Sequence, residues 1–298
     1  MTDNPVLVFG ESGQLAQSLA ECTAKRGIPA VFLGRARYDL SSPAPLARLA
    51  LPERPAFIIN AAAYTSVDQA ETDRDACLAV NATAAAHLAD LAANLAVPLV
   101  HISTDYVFDG SSPRPYRESD ATAPLGVYGT SKLAGEHAIA ARHADHAILR
   151  TAWLFSPFGR NFVKTILAKG LAQPELRIVD DQVGSPTSAL DLADAALTIG
   201  NRLVQFPTRP ELRGIIHVVN RGEASWAGLA RQIGLALASH NRPFARITGI
   251  PSKDYPTPAR RPANSRLDTQ RLAERHGIIL PDWRDAVAIS VARLMERP

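Results

Sequence analysis

The chain has 298 residues, 46% hydrophobic and 20% charged, enough apolar side chain for one large or two modest globular domains, so a disordered chain is excluded. A formal net charge of +3 is too small to imply a field that attracts nucleic acid. The longest nearly apolar run, residues 92–100 with Asn94 and Pro98 inside it, falls short of the roughly 20 residues of a membrane-spanning helix, so a soluble protein with neither membrane nor nucleic acid as partner is expected.

In chain order, β-rich runs at 6–9, 30–33, 57–59, 99–102 and 147–149 alternate with stretches of helical spacing such as 83–95 and 131–142. Continuous apolar strands of this kind belong to a parallel sheet buried on both faces, and the helices supply its crossovers. The expected class is α/β: a Rossmann-type doubly wound parallel sheet with a smaller, interleaved α/β substrate domain. Beyond Trp153 the alternation weakens, and prolines at 207, 210, 251, 256, 258 and 262 mark loops. The strand 215–219 and the helix 190–197 suit either domain. Residues 1–154, with 181–219 returning, are therefore read as dinucleotide-binding, and 155–180 with 220–298 as substrate-binding. The opening Met1-Thr2-Asp3-Asn4-Pro5 has neither the basic start nor the apolar core of a secretory signal, so a cytoplasmic protein is expected. Cys22 and Cys77 have no partner pattern and read as small core residues.

The first strand runs into Gly10-Glu11-Ser12-Gly13-Gln14-Leu15-Ala16 and then a helix. Glycines there let backbone approach a phosphate that meets free amides and the positive end of a helix dipole. Two ordinary turn glycines would look the same, but the place in a βαβ unit points to a dinucleotide, with Gly10, Gly13, Gln14 and Leu15 as contacts and Ala16 at the third glycine position. After the second strand, where a carboxylate would bind the ribose of NAD, the chain has Arg35 and Arg37. These would pair with a 2′-phosphate, favouring NADPH and leaving NADH possible; solvated surface arginines are the alternative. Asp39 and Leu40 would flank the adenine. The third strand delivers Asn60-Ala61-Ala62-Ala63-Tyr64-Thr65, small side chains against which a cofactor lies close, although tight packing explains alanines as well. The fourth ends in Ser103-Thr104-Asp105-Tyr106, bringing hydroxyls to the same edge.

Tyr128 and Lys132 stand four apart at the start of an Ala-rich helix, on one face. A nearby ammonium favours the phenolate, and the pair makes a workable general acid.

Taken in order, the Gly10 and Gly13 turn, Asn60-Ala-Ala-Ala63, Ser103-Thr104-Asp105 and Tyr128 with Lys132 resemble the extended short-chain dehydrogenase/reductase superfamily. The phrases at 103–108, 123–129, 132–136, 150–153, 181–187 and 255–265 are similar to those of the dTDP-4-dehydrorhamnose reductase family within it, over almost the whole chain. That resemblance implies NAD(P)H-dependent reduction of the C4 ketone of dTDP-4-dehydro-β-L-rhamnose. It further implies that Tyr128 protonates the forming alkoxide, Lys132 holds the nicotinamide ribose and poises the tyrosine, and Thr104 donates a hydrogen bond beside the same oxygen. Tyr106 stands where related sugar-nucleotide 4,6-dehydratases carry a glutamate, which favours reduction over dehydration. Asp105 and Trp153 are expected at the sugar, Trp153 being otherwise an ordinary core residue. Arg260 and Arg261, with Arg266 nearby in a proline-stiffened loop, would meet a diphosphate or else remain solvated, with Asn264 and Ser265 adding neutral hydrogen bonds.

His101 is expected in the core, and the remaining histidines lack metal-like spacing. Some relatives dimerise through magnesium held by carboxylates; Ser18 and Leu190 occupy those positions here, so both monomer and homodimer stay open. A UDP- or GDP-linked keto sugar also stays open as substrate. The rival reading is a non-catalytic NADP-binding regulatory subunit resembling the β subunit of methionine adenosyltransferase.

Overall fold

A computed structural model describes residues 4–41, 53–238, 240 and 242–296; the first three residues, part of the opening read above for a signal, lie outside it. The first half follows β1 (Val6–Phe9), α1 (Gln14–Arg26), β2 (Ala30–Leu33), β3 (Ile58–Asn60), α2 (Val67–Ala70), α3 (Arg74–Leu78), α4 (Ala84–Leu95), β4 (Leu99–Thr104), α5 (Val127–Arg142) and β5 (His146–Thr151). The second half follows β6 (Leu154–Phe155), α6 (Phe162–Ala172), β7 (Glu175–Val179), β8 (Val183–Gly184), β9 (Thr187–Ser188), α7 (Ala189–Gln205), β10 (Gly214–His217), β11 (Ala224–Ser225), α8 (Trp226–Ala238), β12 (Arg246–Ile250), β13 (Asn264–Ser265), α9 (Gln270–His276) and α10 (Trp283–Met295).

Six parallel strands form the central sheet in the order β10-β5-β4-β3-β1-β2. Successive side chains on a strand face opposite sides, and both sides are apolar here. Val6, Val8, Ile59, Val100 and Leu149 enter one core with Leu19 of α1 and Leu192, Ala196 and Leu203 of α7. Leu7, Phe9, Ile58, Leu99 and Ile148 enter another with Leu88 and Ala92 of α4 and Ile139 of α5. This double burial explains the unbroken apolar strands in the sequence. The exception is β2, an edge strand with three of its four residues only partly buried.

Two helices outgrow their expected spans. The run Arg74–Leu95 is one continuous helix of 22 residues, with a π-helical turn at Ala79–Thr83, and is long and apolar enough by composition to cross a membrane. Here it packs its alanine and leucine face on the sheet. The helix expected at 190–197 is α7, capped where Ser188 accepts the Asp191 amide and extending to Gln205. It lies on the central sheet, and β10 pairs with β5, so both belong to the first layer system. A separate core gathers Val163 and Ile166 of α6, Leu229 and Ile233 of α8, and Val287 and Val291 of α10 around the β7–β12 pair.

The chain leaves β1 for β2 on one side and returns to β3 on the other, so a crevice opens at the carboxyl ends of β1 and β3. Ligands of open α/β sheets bind at such a reversal.

Candidate active site

The crevice begins with Gly10, whose amide donates to the Leu33 carbonyl at 2.9 Å. Its φ of +121° is a conformation that side-chain-bearing residues rarely adopt, and a Cβ there would lie 3.3–3.4 Å from the backbone of Ala61 and Ala62. Gly13 then caps α1 with no side chain filling the cap and open space beside its Cα. The helix therefore offers its first amides and its positive dipole end to an anion at the crevice. Backbone approach of this kind suits a dinucleotide pyrophosphate.

Gln14 and Leu15, the other expected contacts of the turn, open α1. The Gln14 amide donates to the Leu154 carbonyl at 3.2 Å, and its Oε1 accepts from Ser156 and Asn161, tying α1 to the second half of the chain. Leu15 is buried in the core.

Beyond β2, Arg35 and Asp39, four positions apart in a turn, form an ion pair at 3.1 Å. Asp39 also accepts from the Ser41 amide and hydroxyl, which hold its carboxyl below the usual carboxylate range. The two residues thus partner each other. Arg37 is exposed, and Leu40 packs against the core beside Tyr38. Ala62, Ala63 and Tyr64 are partly exposed at the crevice and Thr65 is exposed. The Ala62 amide donates to Asn60 Oδ1, and Tyr64 is held from both sides by Asn81 of the π-helical turn.

Thr104 ends β4 and Tyr128 opens α5. The Thr104 hydroxyl donates to Asp105 Oδ1 at 3.0 Å and accepts the Tyr106 amide at 3.2 Å. Burial pushes the Tyr128 pKa far up, the nearby Thr104 hydroxyl lowers it and the neighbouring Asp105 pushes it further up. The rings of Tyr106 and Tyr128 meet edge to face at 5.8 Å. Gly129 follows because any Cβ would lie 2.2 Å from the Tyr106 carbonyl. The Val127 amide at the start of α5 is capped by Glu71 Oε1 at 2.9 Å. Beside Tyr128 is a small open cleft lined by Val67, Glu71, Tyr106, Leu125, Arg260 and Pro262 among others.

Lys132 lies one turn along α5 and is 2% exposed. Its ammonium donates to the Ile102 carbonyl at 2.6 Å and approaches His101 Nε2 at 3.3 Å. Burial lowers its pKa to about 8 against the pull of Glu136. Burial dominates at Tyr128, and the Lys132 ammonium is turned toward β4. His101 is buried as expected and held by Asn60. Behind Lys132, Glu136 and Arg150 form an ion pair at 2.6 Å, 1% and 2% exposed, with Ser103 donating to the same carboxylate.

Trp153 follows β5 with a φ of +47° and stacks on Trp226 at 3.5 Å between ring centres, 7° from parallel. Gly184 makes room for it, since a Cβ there would lie 2.4 Å from the indole. Of the basic loop, Arg260 is exposed and lines the cleft. Arg261 pairs with Asp68 at 2.8 Å, near Tyr106. Asn264 departs from expectation, because its amide nitrogen donates to the Ser112 and Arg114 carbonyls while its Oδ1 accepts from Arg266. Its hydrogen-bonding capacity holds the loop together, and Arg266 is likewise engaged by Glu223 and the Pro113 carbonyl. The Ser265 hydroxyl lies near Asp105 and lowers its pKa against burial. Among the described residues no cluster of three metal-binding side chains exists, and Ser18 is buried, donating to the Gln14 carbonyl.

Asn81, Glu136, Arg150, Asp68 and Trp226 escape a reading of the sequence. The available signals were a lone Asn inside an alanine-rich helix and a Glu one turn beyond Lys132.

A doubly wound parallel sheet with a glycine turn at its reversal, and Thr, Tyr and Lys side chains gathered at β4 and α5, defines an oxidoreductase of the short-chain dehydrogenase/reductase class. Residues 4–296 match the RmlD substrate binding domain family. The chain is 43% identical over 279 residues to the dTDP-4-dehydrorhamnose reductase of Sinorhizobium fredii, covering 94% of each. It is similar to the solved dTDP-4-dehydrorhamnose reductase of Bacillus anthracis in complex with NADP, at 32% identity and a TM-score of 0.88, over 98% of this chain and 100% of that one. The corresponding Clostridium acetobutylicum structure matches with a TM-score of 0.89 at 30% identity, over 98% and 99%. This chain belongs to the RmlD substrate binding domain family.

Proposed function

We infer that the chain reduces the C4 ketone of dTDP-4-dehydro-β-L-rhamnose to dTDP-β-L-rhamnose with NADPH, the last step of dTDP-L-rhamnose biosynthesis. The observation that carries this reading is the gathering of Thr104, bonded to Asp105, and Tyr128 at the end of β4 and the start of α5, at the carboxyl edge of the sheet whose first turn is shaped by Gly10. NADPH, when bound, supplies the hydride. Gly10, Gly13 and the first amides of α1 would hold its pyrophosphate, Ala62 to Thr65 would lie along it, and Arg35 would take the 2′-phosphate in exchange for Asp39.

Tyr128 Oη gives its proton to the oxygen at C4. A phenol with a high pKa is a poor spontaneous acid, so transfer occurs to an alkoxide that is more basic still. Thr104 steadies the phenol, and Lys132 contributes positive charge near the sugar edge of the cofactor. Trp153, fixed by Trp226, forms a wall for the deoxysugar, and Arg260 with Arg261 meets the diphosphate. Residues 1–154 and 181–219 carry the cofactor, and 155–180 with 220–298 the sugar nucleotide, in a cytoplasmic enzyme.

The test is NADPH oxidation with the dTDP-4-dehydro sugar in wild type and Tyr128→Phe. The variant should lose turnover by at least ~10²-fold, the scale of a general acid, while binding NADP⁺ as before. Wild-type turnover in Tyr128→Phe would overturn the mechanism; oxidation only with UDP- or GDP-linked sugars would move the substrate.

A further inference from the structure

Asn60 at the end of β3, His101 on β4 and Lys132 on α5 form one buried row. Its first hydrogen bond has a fixed direction. The Ala62 amide can only donate, and it donates to Asn60 Oδ1 at 3.2 Å. The Asn60 amide nitrogen is thereby turned to His101 Nδ1, 3.0 Å away. An amide nitrogen donates, so Nδ1 accepts, and a neutral imidazole with an accepting Nδ1 carries its proton on Nε2. Burial keeps that ring neutral, pushing its pKa well below the usual histidine range. Nε2 in turn faces Lys132 Nζ at 3.3 Å, while Nζ donates to the Ile102 carbonyl at 2.6 Å. What Nζ can set against the ring N–H depends on its own protonation: an ammonium has only more hydrogens, whereas an amine has a lone pair.

We propose that Asn60 and His101 are positioning residues that loosen the proton on Lys132: by fixing the ring tautomer they aim an N–H at its nitrogen, which the amine accepts and the ammonium does not. Burial acts in the same direction and lowers Lys132 to about 8. The positive charge that Lys132 brings to the cofactor is therefore not permanent. It is present in acid and withdrawn in mild base, where an exposed lysine stays charged to above pH 10.

The titratable groups around Lys132 act in both directions. Glu136, one turn further along α5, and Cys77 of α3 favour the ammonium. Glu136 is itself paired to Arg150 of β5 and takes the Ser103 hydroxyl of β4. Tyr128 stands one turn earlier on α5, and His146 of β5 adds to the burial that keeps His101 neutral. The tautomer of His101 is decided by Asn60, which holds Nδ1.

The role in the reaction rests on Lys132 serving the bound cofactor, which Lys132→Met tests separately by loss of NADPH turnover; the tautomer and the proton affinity are read from spectra that need no turnover. Ring ¹⁵N spectra of the wild type should show His101 protonated at Nε2 and not at Nδ1, and the opposite tautomer overturns the proposal. The chain has five lysines, so the Lys132 signal of ¹³Cε-labelled lysine, assigned by its absence in Lys132→Met, can be followed against pH. It should titrate near 8 in the wild type. In Asn60→Ala the ring is free to move its proton to Nδ1 and present Nε2 to the ammonium. His101 should then change tautomer and Lys132 should titrate about one pH unit higher, the scale of one hydrogen bond. Loss of packing alone would move neither signal. An Asn60→Ala titration that coincides with the wild type, or one that shifts with the tautomer unchanged, overturns the proposal. Should Asn60→Ala not fold, the wild-type tautomer decides: Nε2–H supports the proposal and Nδ1–H refutes it.

Discussion

Arg150→Met isolates the buried ion pair behind the site. Arg150 and Glu136 are joined at 2.6 Å through Arg150 Nη2, with Nε also donating, and both are almost fully buried. Removing the guanidinium leaves the Glu136 carboxylate with only the Ser103 hydroxyl. Breaking a buried pair at one partner costs about 3–5 kcal/mol, because the surviving charge stays desolvated. For a chain of this size that lowers the melting temperature by on the order of 10 °C. Glu136 already pulls Lys132 upward against burial, so freeing it from Arg150 should raise the Lys132 pKa above about 8. The double variant Glu136→Gln with Arg150→Met leaves no stranded charge and should recover about 2 kcal/mol or more of the loss. Urea unfolding of wild type, both single variants and the double variant gives the cycle. A single-variant loss under about 1 kcal/mol, or a double-variant loss equal to the sum of the singles, would refute the reasoning.

Burial lifts Asp105 to about 7, above an unfolded carboxyl near 3.9, so the folded state holds an extra proton between those values. Its contribution to stability is full below about pH 4 and is lost as pH rises through 7; relative to wild type, Asp105→Asn should therefore gain up to about 4 kcal/mol between pH 4 and 8. Parallel stability curves would rule this out. Gly10→Ala adds a side chain at a φ of +121° against Ala61; with strain of about 1–2 kcal/mol, NADP⁺ titration should show roughly tenfold weaker binding, and wild-type affinity would count against the turn as the cofactor's cradle. Trp226→Ala removes the stacking partner of Trp153, costing about 3–5 kcal/mol. In steady-state kinetics it should raise the KM for the sugar nucleotide more than it lowers kcat, with Trp226→Phe retaining most of both.

How far the sequence speaks depends on whether a residue's environment is set locally. Val6 to Phe9 read as a buried strand because each side chain meets an apolar layer whichever way it points, and the pattern survives without knowing what those layers are. Thr104 and Tyr128 were legible because strand ends and helix starts place them at one edge by topology alone. The charges were harder. Arg35 and Asp39 carry their pairing in their spacing, yet a reading that gave each its own ligand passed over the neighbour that satisfies it first. Arg261 reads as a free cation until the fold brings up Asp68, 193 residues earlier. Asn264 reads as a ligand contact until two loop carbonyls claim it. A buried polar group takes whichever partner folding delivers, and that partner is set by tertiary contacts rather than sequence neighbours. The same holds for Asp105: its type and position were plain, but a carboxyl with one bare oxygen exists only once Ser265 and the two tyrosines have closed around it. What a sequence alone withholds at such a site is protonation state.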